Sequence, residues 1–429
     1  MQPVQQHRSA GPAWTIWGLL ALVLLIAPWV WNTPFAHSLL TQMGIAILAC
    51  LSYNVLLGQG GMLSFGHAVY TGLGAYMAMH ALQAVSAGQW PIPVSLLPLV
   101  GAVSGMGFAV LLGWVTTRKA GTPFAMITLG VGELVGAMAL MFPGFFGGEA
   151  GVSGNRVVAP PVLGISFGPQ IQVYYLVAAY TLLGVAALYA FTCTPLGRLL
   201  NAVRDNPERV GFIGFNPQRV RYLAFIVAGF FAGLAGGLAA LQFEIVTPEV
   251  LGSARSGAYL LFTFLGGTGF FAGPILGGVL MVLATVGLSA LTQAWLLYLG
   301  LVFVFMVIYA PGGLASVIAA QVQVARAGHL KALAIPYLAL GLTAAVMLMG
   351  AGALVEMAYH RQLGSALGDP LHYLGLTLDS ASPVHWMGAA LAMLTGLGLF
   401  HRSRRQCMQR WARLQDDMAR ERRSQEARA

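Results

Sequence analysis

The chain has 429 residues, of which 58% are hydrophobic and 8% charged, and its net charge is +9. Soluble domains carry roughly a quarter of their residues as charges, so a water-soluble fold is excluded, and a mean hydropathy of +0.75 points to an integral membrane protein. Three cysteines, Cys50, Cys193 and Cys407, form no CxxC or Cys/His spacing, so neither redox nor metal chemistry is expected and no cofactor is called for.

Apolar runs near the ~20 residues that a bilayer requires fall at 14–31, 39–57, 66–86, 93–115, 123–142, 171–193 and 220–243. The first has no clean small-x-small cleavage site behind it, so it reads as a span rather than a signal peptide. The stretch 256–309 is too long for two helices and is broken by GGTGFFAGP at 266–274. It divides into a short span ending near Gly267, a second over 272–288 and a third over 293–309, and two more follow at 332–355 and 385–400. The expected fold is all-α and polytopic, with about twelve transmembrane helices, some broken or short. Basic residues are retained on the cytoplasmic side of short loops. With Arg8 inside, twelve crossings also place Arg118, Lys119, Arg326, Lys331 and the arginine-rich tail inside, so both termini are expected in the cytoplasm. Arg156, Arg255 and Arg361 fall outside, in loops that also hold Glu149, Glu249 or Glu356.

Three features rise above packing. The polar loop TPLGRLLNAVRDNPERVGFIGFNPQRV at 194–220 carries four arginines, and Arg221 follows it. Pro195 and Gly197 open it, Leu199, Leu200 and Val203 recur at helical spacing, and Gly214, Asn216 and Pro217 close it, which predicts a short cytoplasmic surface helix. In SYNVLLGQGGMLSFGHAVYTGLGAY (52–76), Gly58, Gly60 and Gly61 end one helix while Ser64, Phe65, Gly66 and His67 begin another. Such a break, with Asn54 just before it, lines a watery path or makes a tight turn in which His67 is a packing histidine. Glu133 is the one carboxylate in the predicted spans up to residue 240, and it faces either a cavity or a helix that hydrogen-bonds it. Most of the 55 glycines read as close helix packing, including Gly229, Gly233, Gly236 and Gly237.

The blocks GRLLNAVRDNPERVGFIGFNP, YNVLLGQGGMLSFGHAVYTGLGAY, FAMITLGVGEL, FFAGLAGGLAAL with VTPE, and FLGGTGFFAGPILGG occur in this order between about residues 40 and 314. They resemble the LivM-type permeases of branched-chain amino acid ABC importers. The resemblance implies a permease domain over 14–318 in a bacterial inner membrane, with a second homologous permease, two ABC ATPase subunits and a periplasmic solute-binding protein as partners. It implies that 194–219 is the ATPase-coupling loop, with Gly197, Arg204, Asp205, Glu208 and Gly214 as its motif positions. Arg209 and Val210 depart from the small residues that the general importer pattern places there. The candidate translocation path comprises Asn54, Gly58, Gly61, Ser64, Gly66, His67 and Glu133. Branched-chain amino acids or a related small polar solute are the expected cargo, urea or a short amide is the alternative within the family, and an ion-coupled carrier centred on Glu133 is the alternative outside it.

No catalysis is expected from the chain itself. Its two lysines, Lys119 and Lys331, follow no glycine, so it has no Gly-Lys-Ser/Thr phosphate loop, and ATP hydrolysis must belong to a separate chain. The resemblance ends near residue 318. Residues 1–13 form a cytoplasmic N-terminal segment, 319–400 add two spans, and 401–429 form a tail with nine arginines and four acids. Met408, Trp411, Leu414 and Met418 lie three or four apart, a stripe that suits an amphipathic helix on membrane lipids, a solvated anchor or a regulatory contact with the ATPase, and not a nucleic-acid-binding tail.

Overall fold

The computed structural model describes residues 13–157, 166–326, 330–364, 371–373, 376–379 and 382–426. Arg8 and nearly all of the N-terminal segment lie outside the described residues, as do the side chains of Lys331, Leu414 and Met418. The chain divides into two compact units, residues 1–285 with 303–316 and residues 286–302 with 317–429.

The first unit begins with α1 (Ala13–Val30) and α2 (Pro34–Asn54). Thr33 caps α2 by accepting from the Ala36 amide at 3.2 Å, and Pro34 supplies a first-turn residue with no amide to satisfy. From Val55 to Gln59 the helix widens into a π-turn before the chain breaks. α3 (His67–Ser86), α4 (Leu97–Thr116), α5 (Thr122–Met141) and a single turn, α6 (Pro143–Phe146), follow. Next come α7 (Gln170–Cys193), α8 (Pro195–Asp205), α9 (Pro207–Phe212), α10 (Pro217–Phe243), α11 (Ser253–Gly266) and α12 (Gly273–Val282).

Helices α3, α4 and α10 approach through their glycines. A Cβ on Gly233 would meet the Gly101 carbonyl and lie 2.8 Å from Gly105 Cα, and one on Gly236 would strike the Thr71 carbonyl. With no hydrophobic effect between helices in lipid, backbone contact of this kind supplies the dispersion energy that holds the bundle. The packing role expected of Gly229, Gly233, Gly236 and Gly237 is what the backbone shows. A cluster around Tyr76, Met79, Leu82, Leu97 and Leu251 fills the adjacent core.

At one end of this unit a two-stranded sheet pairs β1 (Val152–Ser153) with β2 (Ile245–Val246). Arg156 fixes it. Its guanidinium donates to the carbonyls of Leu241 at 2.8 Å and Phe167 at 2.8 Å, and its backbone amide donates to Glu244 Oε1 at 2.9 Å. The partner of Arg156 is thus Glu244, 3.9 Å away, although Glu149 is the carboxylate of its own loop.

In the second unit α13 (Ser289–Leu291) precedes the start of α14 (Trp295–Tyr309), and most of α15 (Gly313–Arg326) is followed by α16 (Leu330–Tyr359) and α17 (Pro383–Glu426). The hairpin of β3 (Leu371–Tyr373) and β4 (Leu376–Leu378) lies between the last two. α16 and α17 pack through Gly350 against the Met393 amide and through Gly396 against the Met347 amide. Ala353, Met357 and Ala389 form their small core. Glu356 accepts from Tyr298 at 3.1 Å and from Thr292.

The described residues hold eight helices long and apolar enough to cross a bilayer, and nine if the pair Trp295–Tyr309 and Gly313–Val322, bent by 55°, counts as one. Each of the expected spans contains a helix, and three lie outside that set. In α1 the described side chains give an apolar stretch over Leu20–Val30. α3 is diluted by His67, Thr71, His80 and Gln83. α11 has 14 residues, which at 1.5 Å each extend about 21 Å against a ~30 Å hydrocarbon core.

Candidate functional site: the polar hairpin and the helix break it touches

Three capped prolines build the polar hairpin. Thr194, Asn206 and Asn216 each precede a proline, Pro195, Pro207 and Pro217, at the start of a helix. Thr194 Oγ1 accepts from the Gly197 amide at 3.2 Å, Asn206 Oδ1 from Arg209 at 2.9 Å, and Asn216 Oδ1 from Gln218 at 2.9 Å. The segment therefore holds two helices, α8 and α9, where the sequence pattern predicts one. Asn206 is extended, with φ −157°, and its side chain starts a second helix instead of continuing the first.

The predicted residues of this hairpin occupy distinct positions. Gly197 is buried in α8, where a Cβ would strike the Phe191 carbonyl. Leu200 and Val203 are buried beside it, while Leu199 is only partly so. Glu208 stands exposed in the first turn of α9, where a carboxylate complements the helix dipole. Gly214 has φ +91° with open space around its Cα, so backbone conformation and not crowding demands glycine. Phe212, Ile213 and Phe215 flank it and are exposed, Phe212 by 90%. Sequence reasoning did not single out these three, although FIGF inside a polar loop carries the signal.

The hairpin and the helix break meet. Arg204 pairs with Asp205 at 3.0 Å and also donates to the Gly58 carbonyl. Asn201 donates to Gln59 Oε1 at 2.8 Å. Gly61, at φ +63°, lies under the Arg204 side chain, whose Cγ would sit 2.7 Å from a Cβ there. Gly58 packs against Asn54 and against the Thr268 carbonyl of the GGTGFF segment, with 2.5 Å separating that oxygen from a would-be Cβ.

Past the break, the Phe65 amide donates to Thr128 Oγ1 at 3.1 Å, and a Cβ on Gly66 would strike the Thr128 carbonyl on α5. His67 is fully buried. Its Nε2 lies 2.7 Å from Ser52 Oγ, whose own proton goes to the Ala228 carbonyl at 3.1 Å. Nε2 therefore carries the imidazole proton, and among the described residues the acceptor Nδ1 has no partner, nor do the Asn54 Oδ1 acceptor and the Ser64 hydroxyl. Glu133 lies apart from this cluster. It is exposed on the outward face of α5 with Met126, Leu129, Leu134 and Met138.

Among the described residues no three His, Cys, Asp or Glu side chains group as a metal site. Residues 35–311 match the family described as branched-chain amino acid transport system / permease component. The chain is 30% identical over 325 residues to the high-affinity branched-chain amino acid transport system permease protein LivM of Salmonella typhimurium, covering 69% of this chain and 74% of that protein. It is 25% identical over 298 residues to the galactose/methyl galactoside import permease protein MglC of Haemophilus influenzae, covering 63% and 83%. The permease protein LivH of Salmonella typhimurium is 24% identical over 262 residues, covering 58% and 82%. No solved structure matches.

Proposed function

Because the chain belongs to the permease family of branched-chain amino acid transport systems, we propose that it is the membrane-spanning permease subunit of an ATP-driven ABC importer in a bacterial inner membrane. Its cargo is a branched-chain amino acid or a related small polar solute. It spans the membrane about twelve times, with α1, the polar-diluted α3 and the short α11 included and both termini in the cytoplasm. Two ABC ATPases, a second homologous permease and a periplasmic binding protein complete the assembly.

The observation that carries this reading is the hairpin α8–α9. It presents Phe212, Ile213 and Phe215 outward on a charged surface while Arg204 and Asn201 grip the end of α2. An ATPase that seats the apolar tip moves α8, and α8 pulls on Gly58 and Gly61. The 61–66 segment passes that movement to α5 through Thr128. Each link is a backbone or hydrogen-bond contact between packed elements, the kind of connection through which coupling travels. Glu133 lies five residues beyond Thr128 on the same helix. An outward carboxylate in an apolar span costs a few kcal/mol in lipid, so this face of α5 belongs against the second permease, beside the aqueous path.

Gentle purification of the tagged chain from its native membrane tests the assignment. Mass spectrometry of the eluate is expected to find an ATPase bearing a phosphate loop and a second permease, with ATP hydrolysis in the same fraction. Recovery of the chain alone, where a known importer stays intact, overturns it.

A further inference from the structure

About 14–24 Å along α2 from Gly58, on the side of the first unit away from the hairpin, a cavity of ≈ 80 Å³ opens between α2, α11 and α12. A single water needs about 10–15 Å³, so the space takes a larger guest. Ile45, Ala46, Ala49, Met281 and Val282 give it aliphatic walls, and Gln42, Thr285, Tyr259 and Arg255 give it polar ones.

Arg255 is the one charged group in that lining. It is partly buried two residues into α11, donates through Nε to Tyr259 Oη at 3.3 Å, and holds its guanidinium carbon 5.6 Å from the Tyr259 ring centroid. Neither the Arg156–Glu244 nor the Arg204–Asp205 ion pair reaches it. Glu249, in the turn before α11, is not among the lining residues. Among the described residues no ion pair is recorded for this partly buried guanidinium, and a charged side chain that lines a cavity between membrane helices is a functional-site hypothesis. Its planar fork is suited to binding a carboxylate through two parallel hydrogen bonds.

We infer that this cavity is a binding site for small aliphatic carboxylates, with the carboxylate on Arg255 and the hydrocarbon against Ile45, Ala46, Ala49, Met281 and Val282. The lining supplies no anion for an ammonium group, so the carboxylate and the aliphatic chain are the features it reads. The inference rests on the permease reading in one respect: the site lies on the solute's route only if the chain conducts solute. Tyr259 forms its inner wall and faces His67, with ring centroids 6.4 Å apart, so the cavity adjoins the buried His67 cluster.

The test is protection of Arg255 from phenylglyoxal in the purified full-length chain, read by mass spectrometry of the peptide that contains it. L-Leucine and isovalerate at ten times their Kd are expected to slow modification about tenfold by mass action. L-Leucinamide, which lacks the carboxylate, is expected to leave the rate unchanged, and exposed Arg118 is expected to react at one rate throughout. Equal rates at Arg255 under all three ligands overturn the site, and so does protection by leucinamide equal to that by leucine. Protection without solute, appearing only when a second permease is bound, also overturns it by making the cavity a subunit contact. Whether an ATPase co-elutes is scored on the same preparation. Co-elution without protection removes the carboxylate site and leaves the importer, whereas protection without co-elution leaves the site and removes the importer.

Discussion

Glu208 and Gly214 separate folding from docking at the hairpin. Glu208 is exposed in the first turn of α9 with no ion-pair partner among the described residues. Reversing its charge with Glu208→Lys forfeits a helix-dipole interaction of about 0.3–1 kcal/mol, too little to unfold a bundle held by glycine-mediated backbone contacts. Gly214→Arg puts a side chain into open space but at φ +91°, where an L-residue costs about 1–2 kcal/mol. Both variants are expected to reach the membrane at normal abundance, measured by immunoblot, and to lose solute uptake. Normal uptake by both removes the coupling role. Glu133 is judged by the same two readouts. Glu133→Gln keeps the size and removes the charge, so transport rate or selectivity is expected to change while abundance holds. Loss of abundance with unchanged transport per molecule makes Glu133 a structural residue instead.

Among the elements, the ones legible in sequence were those governed by neighbours in the chain. Pro195 and Gly197 open the first hairpin helix and Asn216 with Pro217 begin α10, as the sequence reads them, and Gly58 to Gly61 end α2 close to where the sequence pattern ends it. What escaped was set by distant partners. Arg156 finds Glu244, 88 residues away, and Arg204 finds Gly58, 146 residues away. No periodicity reports such meetings, so the hairpin and the helix break stood as separate candidates until the fold joined them. The split of the hairpin at Asn206 was legible in principle, since Asn-Pro is a start signal, but the apolar spacing of Leu199, Leu200 and Val203 dominated the reading. That split gives an element-scale prediction. Asn206→Ala removes the cap on the Arg209 amide and is expected to cost α9 about 1 kcal/mol. Hydrogen exchange should then quicken over 207–212 and stay unchanged over 195–205. Equal quickening in both helices would mean that they act as one unit.

For the whole molecule, the permease family match ends at residue 311, and the stretch beyond it lies almost wholly in the second unit. Its last helix supplies the argument. α17 runs unbroken for 44 residues, from Pro383 to Glu426, where hydropathy alone suggests a span ending near residue 400 and a separate surface helix. The apolar pattern stops because lipid stops, not because the helix does. At 1.5 Å per residue α17 is about 66 Å long, roughly twice the ~30 Å hydrocarbon core. A helix of that length outruns the hydrocarbon core as one continuous element, and His401, Arg402 and Arg405, where its apolar run ends, are exposed. The core of the second unit lies earlier, in Ala353, Met357 and Ala389 with Trp386 and Tyr373 against them, all before residue 401. Removing residues 401–429 is thus expected to leave that core folded and solute uptake unchanged, with abundance measured alongside. If uptake disappears while the truncated chain stays in the membrane and still binds its ATPase, the protruding helix belongs to the transport cycle, and the stretch beyond the family match is part of the machine and not an appendage.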